Sequence, residues 1–328
     1  MIEFDSLKHR LPIYDIAKGL GMIFVIIGHI CSLKQDSIAL FIEGLCNLFH
    51  LPLFFFIAGI FLREDSNIVL YIEKRSKSLM KPYYIYGVIC FLIVFVVQRD
   101  FILERFMQYL LGERMTFTGA LWFLPVMFSS SIIGSCIIKL RLNYQIGLIA
   151  IFLLICDILF RNKIMLPLNL DASMYFVPFL ILGHYWGGHN QRHNYNLLVL
   201  SVCLLIILGI RCYYAKYNII CNLYLSEIGI LPLTFVASLC GIYSCFYLSH
   251  YIQRSCERKG KLGYKVLHFI GVNSLLILII HQKFCIHIIQ NVISFEFNYI
   301  LLFILFIFTV IFSCIGAVVI KKYLNFTI

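Results

Sequence analysis

About ten apolar runs, each near the 20 residues a helix needs to cross a bilayer, divide this chain from end to end. They fall at 13–33, 41–62, 82–98, 119–138, 144–160, 172–189, 195–211, 229–251, 266–289 and 299–320. In hydrocarbon every backbone N–H and C=O must be satisfied within the protein, so runs of this length read as helices. Only 13% of the 328 residues are charged, against about a quarter in a soluble domain, which is too few to clothe a water-facing surface. The expected fold class is all-α: a polytopic transmembrane helix bundle of about ten spans, with 1–328 as a single integral membrane domain.

Orientation follows from the short connections. Lys8 and Arg10, the run Lys74 to Lys81, Lys139 and Arg141, the run Arg254 to Lys265, and Lys321 and Lys322 hold most of the lysine and arginine. Alternate connections of this kind face the cytoplasm, which places both termini there. The first thirteen residues carry charges and a proline but no apolar core with a cleavage site, so the first run is expected to remain as a signal-anchor. The net charge of +11 sits where topology puts it, so the expected partner is a lipid bilayer and not nucleic acid. The 13 cysteines form no CxxC and no cluster at metal spacing. They read as buried reduced thiols, with no metal expected. Segment 99–118 alternates charge and bulk at helical spacing and predicts a helix on the outer interface.

Charge within a span is costly, so each intramembrane ionisable group is a candidate for function. The first span holds Asp15, Lys18 and His29. Asp15 and Lys18 are three apart and can pair. Lys18 and His29 are eleven apart, close to three whole turns, so they share a face about 16 Å apart along the axis. A cation at one end suits a phosphorylated donor, and a neutral imidazole deeper in can take a proton from a hydroxyl acceptor. The plain alternative is a snorkelling lysine and a packed histidine.

Other candidates are weaker alone. His50 precedes Pro52, which predicts a break in the second span and a histidine beside it. Glu43 either orients a histidine or faces outer water. The basic run that includes Arg75 suits phosphates, although topology alone explains it. Trp122 is either an interfacial ring or a stacking surface for a sugar. The ninth span brings Asn273, Ser274, His281 and Lys283 into an apolar run, while His184 reads as structural. No Walker loop, GxSxG elbow, HExxH or GxGxxG is present.

Taken together, DIAKGLGMIFVIIGH, FHLPLFFFIAG, KRSKSLMKPYY, ALWFLPVMF and IGVNSLLILIIHQ resemble the blocks of the membrane acyltransferase 3 family, nearest its fucose 4-O-acetylase-like branch. The likeness is weakest between about residues 140 and 265. It implies acyl transfer, usually acetyl, from cytoplasmic acyl-CoA to a hydroxyl of a cell-surface polysaccharide or its lipid-linked precursor, in a cell membrane such as the bacterial cytoplasmic membrane. By this resemblance His29 is catalytic, and Lys18 and Arg75 hold acetyl-CoA; Asp15, in the same span, stands beside His29 as a catalytic candidate on the residue reading alone. His50 carries over as a residue that would line the site, and Glu43, Trp122, Asn273 and His281 join it as site-lining candidates on the reading of the residues alone. Ala58 stands where the family often has serine. The main rival reading is a transporter or flippase for a lipid-linked glycan, which would show paired broken helices. A glycan polymerase would carry a larger outer loop, and a purely structural subunit would make the Lys18–His29 register accidental.

Overall fold

The computed structural model of the chain describes residues 12–34, 36–63, 67–98, 103–188, 195–256, 262–287 and 298–324. Lys8, Arg10 and residues 99–102 lie outside these. Among the described residues the regular structure is helical, apart from a two-residue ladder. Helix α1 spans Pro12–Cys31, with proline at its first position, where its missing N–H is no loss. Next come α2 (Ser37–Asn47) and α3 (His50–Ile60), which together form one apolar segment interrupted at residues 48–49. Asp36 caps α2 by accepting from the Ala39 N–H at 2.9 Å. That bond, more than the neighbouring Tyr299 hydroxyl and Lys34, holds its carboxyl below the usual range.

The chain continues through α4 (Ile68–Arg75) and a π-helical turn at Ser76–Met80 into α5 (Lys81–Gln98), then α6 (Leu103–Leu110) and α7 (Phe123–Ile137). Helices α8 (Leu142–Arg161), α9 (Leu170–Gly188), α10 (Leu197–Lys216) and α11 (Leu231–Cys256) follow. The ladder pairs β1 (Cys221–Asn222) with β2 (Glu227–Ile228) between α10 and α11. Helices α12 (Leu262–Val272) and α13 (Ser274–Ile280) meet at Asn273 with a bend of 76°. A second π-helical turn, His281–His287, extends α13, and α14 (Tyr299–Tyr323) closes the described chain.

Among the described residues, eight helical segments are long and apolar enough to cross a membrane, and the bent α12–α13 pair makes nine. The remaining predicted run, 172–189, forms α9, which carries Asp171, Ser173 and His184 and is not among the segments apolar enough to cross a membrane. Its polar side chains need protein neighbours, and α3, α7 and α8 enclose it. Segment 99–118 departs from expectation. Of its described residues, 103–118, the α-helical ones are Leu103–Leu110; beyond Gly112, whose φ is +73°, the chain turns inward and buries Arg114.

Helix α1 is the hub, packed against α2, α3, α11, α12 and α14. Its contact with α12 is backbone to backbone. A Cβ on Gly19 would lie 2.2 Å from the Leu267 carbonyl oxygen, and one on Gly271 would lie 1.6 Å from that of Asp15. Small residues at both crossings let the helices approach to this distance, as is usual between membrane helices. By contrast, α8, α10 and α14 expose leucine, isoleucine and phenylalanine outward, as lipid-facing helices do. The described cysteines are all free thiols.

Candidate active site

His29 lies in the last turn of α1, at the edge of a cavity of about 260 Å³. Five parts of the chain wall it: the end of α1 with Gly28 and Ser32, the α2–α3 break with Glu43, Asn47 and His50, the 3₁₀ turn Gly119–Trp122, the β-ladder connection with Asn222 and Tyr224, and the second π turn with Gln282 and Lys283. Its charged lining side chains are Glu43 and Lys283. Glu43 is hydrogen-bonded to Asn47. Lys283 makes neither an ion pair nor a hydrogen bond among the described residues.

The break in the second span does specific work here. It leaves the Cys46 carbonyl within 2.7 Å of His50 Nδ1, so that Nδ1–H donates and Nε2 is left as the acceptor. Pro52 falls in the first turn of α3, where backbone N–H groups have no helical partner anyway. His281 is fixed in the same way: its Nδ1 lies 2.9 Å from the Leu278 carbonyl and 3.1 Å from that of Ile277. Its ring sits behind His29, with centroids 5.3 Å apart, and its buried Nε2 has no hydrogen-bond partner among the described residues.

His29 is held differently. The Gln282 amide lies 3.4 Å from its Nδ1, and the Gln282 Oε1 is buried without a hydrogen-bond partner among the described residues. Gly119, at φ +58°, makes room for this arrangement. A Cβ there would come within 2.7 Å of Gln282 Oε1 and 3.0 Å of Lys283 Cε. The 3₁₀ turn can therefore approach the π turn only because residue 119 is glycine.

A buried polar network fastens the cover of the cavity. Arg114 donates from its backbone N–H to Asn169 Oδ1 at 3.0 Å, and from its guanidinium to the Asp171 carboxylate and to Ser226 Oγ. Asn169 donates in turn to the Gly112 carbonyl at 2.6 Å. The guanidinium also lies over the Phe160 ring, 4.9 Å from its centroid. Arg114, Asn169 and Asp171 are fully buried, so the connection at 111–122, the start of α9 and the ladder connection are locked together. That lock sets Trp122 beside Tyr224, with ring centroids 6.2 Å apart, over the cavity.

Of the residues expected at the site, His29, His50, Glu43 and Trp122 line this one cavity, and His281 lies against His29. Glu43 faces the cavity and not only outer water. The others sit elsewhere. Asp15 pairs with Lys18 at 2.7 Å near the opposite end of α1, about 21 Å along the axis from His29. Arg75 donates to the Tyr71 hydroxyl at 3.0 Å on α4, away from α1. Asn273 is at the α12–α13 bend, where it accepts from Lys321 at 3.1 Å and lines a different recess. Lys283, noted as a cation in the ninth span but given no role, lines the cavity. Gln282, Gly119, Asn222 and Tyr224 were not anticipated, although the polar HQK triplet that starts at His281 was a visible signal for Gln282. Asn222 and Tyr224 belong to the stretch that least resembles the acyltransferase family.

The acyltransferase 3 family model, described as an acyltransferase domain, matches residues 11–321. No curated protein and no solved structure matches the chain. With the match running through nearly all its length, the chain belongs to the acyltransferase 3 family.

Proposed function

We propose that this member of the acyltransferase 3 family is a membrane O-acetyltransferase. It moves an acetyl group from cytoplasmic acetyl-CoA to a sugar hydroxyl of a cell-surface polysaccharide or its lipid-linked precursor. The observation that carries the reading is an imidazole, His29, opening onto a cavity that also presents Trp122, Tyr224, His50, Glu43 and Lys283. Aromatic faces suit a sugar ring, and the polar groups suit its hydroxyls.

In this mechanism His29 Nε2 takes the proton of the acceptor hydroxyl as its oxygen attacks the thioester carbonyl. The tetrahedral adduct places a negative oxygen in the cavity, and the Lys283 ammonium is the cation available to it. As the adduct collapses, the C–S bond breaks and the imidazolium returns its proton to the leaving thiolate. A base at Nε2 needs its proton on Nδ1. Turned about its last torsion, the Gln282 amide offers its unpartnered oxygen to that Nδ1–H and so fixes the tautomer. His50 Nε2 accepts from a second sugar hydroxyl. Asp15 is too distant for proton transfer at His29, and its part is to hold Lys18 in place for the donor. Arg75 contributes charge at the same face of the membrane.

The test is acetyl transfer by the purified full-length protein, read by mass spectrometry of the glycan. His29→Ala should lower the rate about 10²- to 10⁴-fold while the protein stays folded and inserted. Native-rate transfer by that variant overturns the mechanism. The interruption at residues 48–49 and the 76° bend at Asn273 also favour a second reading, a lipid-linked glycan transporter. Glycan movement without acetylation, unaffected by His29→Ala, would select it.

A further inference from the structure

A second recess, of about 690 Å³, opens between α12 and α14 at the Lys18 end of the bundle. Lys265, His268 and Asn273 form one wall, and Lys321 and Lys322 the other. Phe269, Val272 and Val318 line it with apolar surface. No carboxylate is among its lining residues. Asp15, the acidic group placed nearby, has its Oδ2 3.8 Å from His268 Nε2 and is already paired with Lys18.

The positive-inside rule accounts for lysines in such connections. It does not account for three of them converging with a buried amide and an imidazole on one hollow, from segments 48 residues apart. Lys321 is steered into it by donating to Asn273 Oδ1 at 3.1 Å. Neither Lys265 nor Lys322 has an ion pair or hydrogen bond among the described residues. Three ammonium groups line this one hollow with no carboxylate among its described lining residues, and a bound anion would gain the attraction of all three. Ammonium groups supply charge, and the imidazole supplies a directed donor. That combination matches the several acceptor oxygens of a phosphate ester.

We infer that the α12–α14 recess binds a phosphate ester. The ester belongs either to the headgroup of an anionic phospholipid, whose chains would lie along the apolar wall, or to the nucleotide part of a soluble donor. Basic hollows between membrane helices at the bilayer surface commonly serve such groups. The lipid arm is independent of the reaction assigned to His29, and only the nucleotide arm rests on it.

The full-length protein in nanodiscs tests this by native mass spectrometry and competition. One set of discs holds phosphatidylcholine alone and another adds phosphatidylglycerol. Adenosine 3′,5′-bisphosphate serves as the soluble probe. The Lys265→Gln/Lys321→Gln/Lys322→Gln variant should hold its ligand at least tenfold more weakly than the native protein. A control with equal charge loss elsewhere, Lys139→Gln/Arg141→Gln/Arg254→Gln, should bind as the native protein does. Lys322→Gln alone, at an exposed position, gives a folded comparison should the triple variant fail to insert. Retention of phosphatidylglycerol assigns the lipid source, and binding of the bisphosphate assigns the nucleotide source. If neither probe binds, or both charge variants lose binding equally, the inference is overturned. His29→Ala should leave either affinity unchanged, which separates this result from the fate of the catalytic reading.

Discussion

The Gln282 amide stands 3.4 Å from His29 Nδ1, although the two residues are 253 positions apart in the chain. Gln282→Glu keeps an acceptor at this point, while Gln282→Met removes it. The glutamate variant should retain transfer, with the acid limb of its rate profile moved to higher pH, because a carboxylate beside the ring favours the imidazolium. The methionine variant should lose rate with unchanged expression. Equal loss in both variants would mean that the amide acts as a donor, and the tautomer argument would fail.

Lys283 offers a second kinetic test. If its ammonium stabilises the oxyanion, Lys283→Met should lower kcat by about 10²- to 10³-fold with little change in KM, the signature of an interaction made in the transition state. Lys283→Arg should recover part of the rate. A rise in KM alone would place the lysine on the substrate and not on the reacting oxygen.

The Arg114–Asp171 pair predicts a stability pattern. Removing either partner leaves the other charged and buried, at a cost of about 3–5 kcal/mol. Arg114→Met and Asp171→Leu should each lower the thermal transition measured in detergent, and the double variant should recover much of the loss. Simple addition of the two losses would show that the pair is not coupled.

At the α1–α12 crossing, Gly271→Ala would drive a methyl group into the Asp15 carbonyl. Overpacking of this kind costs about 1–3 kcal/mol, and more where only backbone can yield. Gly209→Ala in α10 meets nothing within 4 Å and should be neutral or stabilising by up to about 1 kcal/mol. The comparison of the two melting curves separates packing from helix propensity.

The bundle was legible in the sequence because hydrocarbon imposes a length and an apolarity that a chain must display openly. The candidate site was legible where chemistry intrudes on that pattern: His29, His50 and His281 are conspicuous in apolar runs, and three helices do bring them near one cavity. What stayed hidden depends on approach between distant segments. Nothing about Gly119 in isolation distinguishes it from a loop glycine; its reason is the Gln282 side chain across the gap. Arg114 fell within the 99–118 segment read as an interfacial helix, because its buried partners Asn169 and Asp171 lie more than fifty residues onward. Lys18 and His29 do share α1, yet the residues lining the His29 cavity do not include Lys18, so a shared helical face was not evidence of a shared chamber.

The π turn at His281–His287 has a consequence for how such a site could arise or be lost. A wider turn rotates less per residue than an α-helix, so the adjacent side chains of His281, Gln282 and Lys283 fan through a narrower arc. Deleting a single residue from this stretch would wind it back to the ordinary pitch and disperse the trio. The lipid-facing exterior would scarcely register the change. Among homologues, the length of this one turn should therefore distinguish working enzymes from silent copies more sharply than overall similarity does.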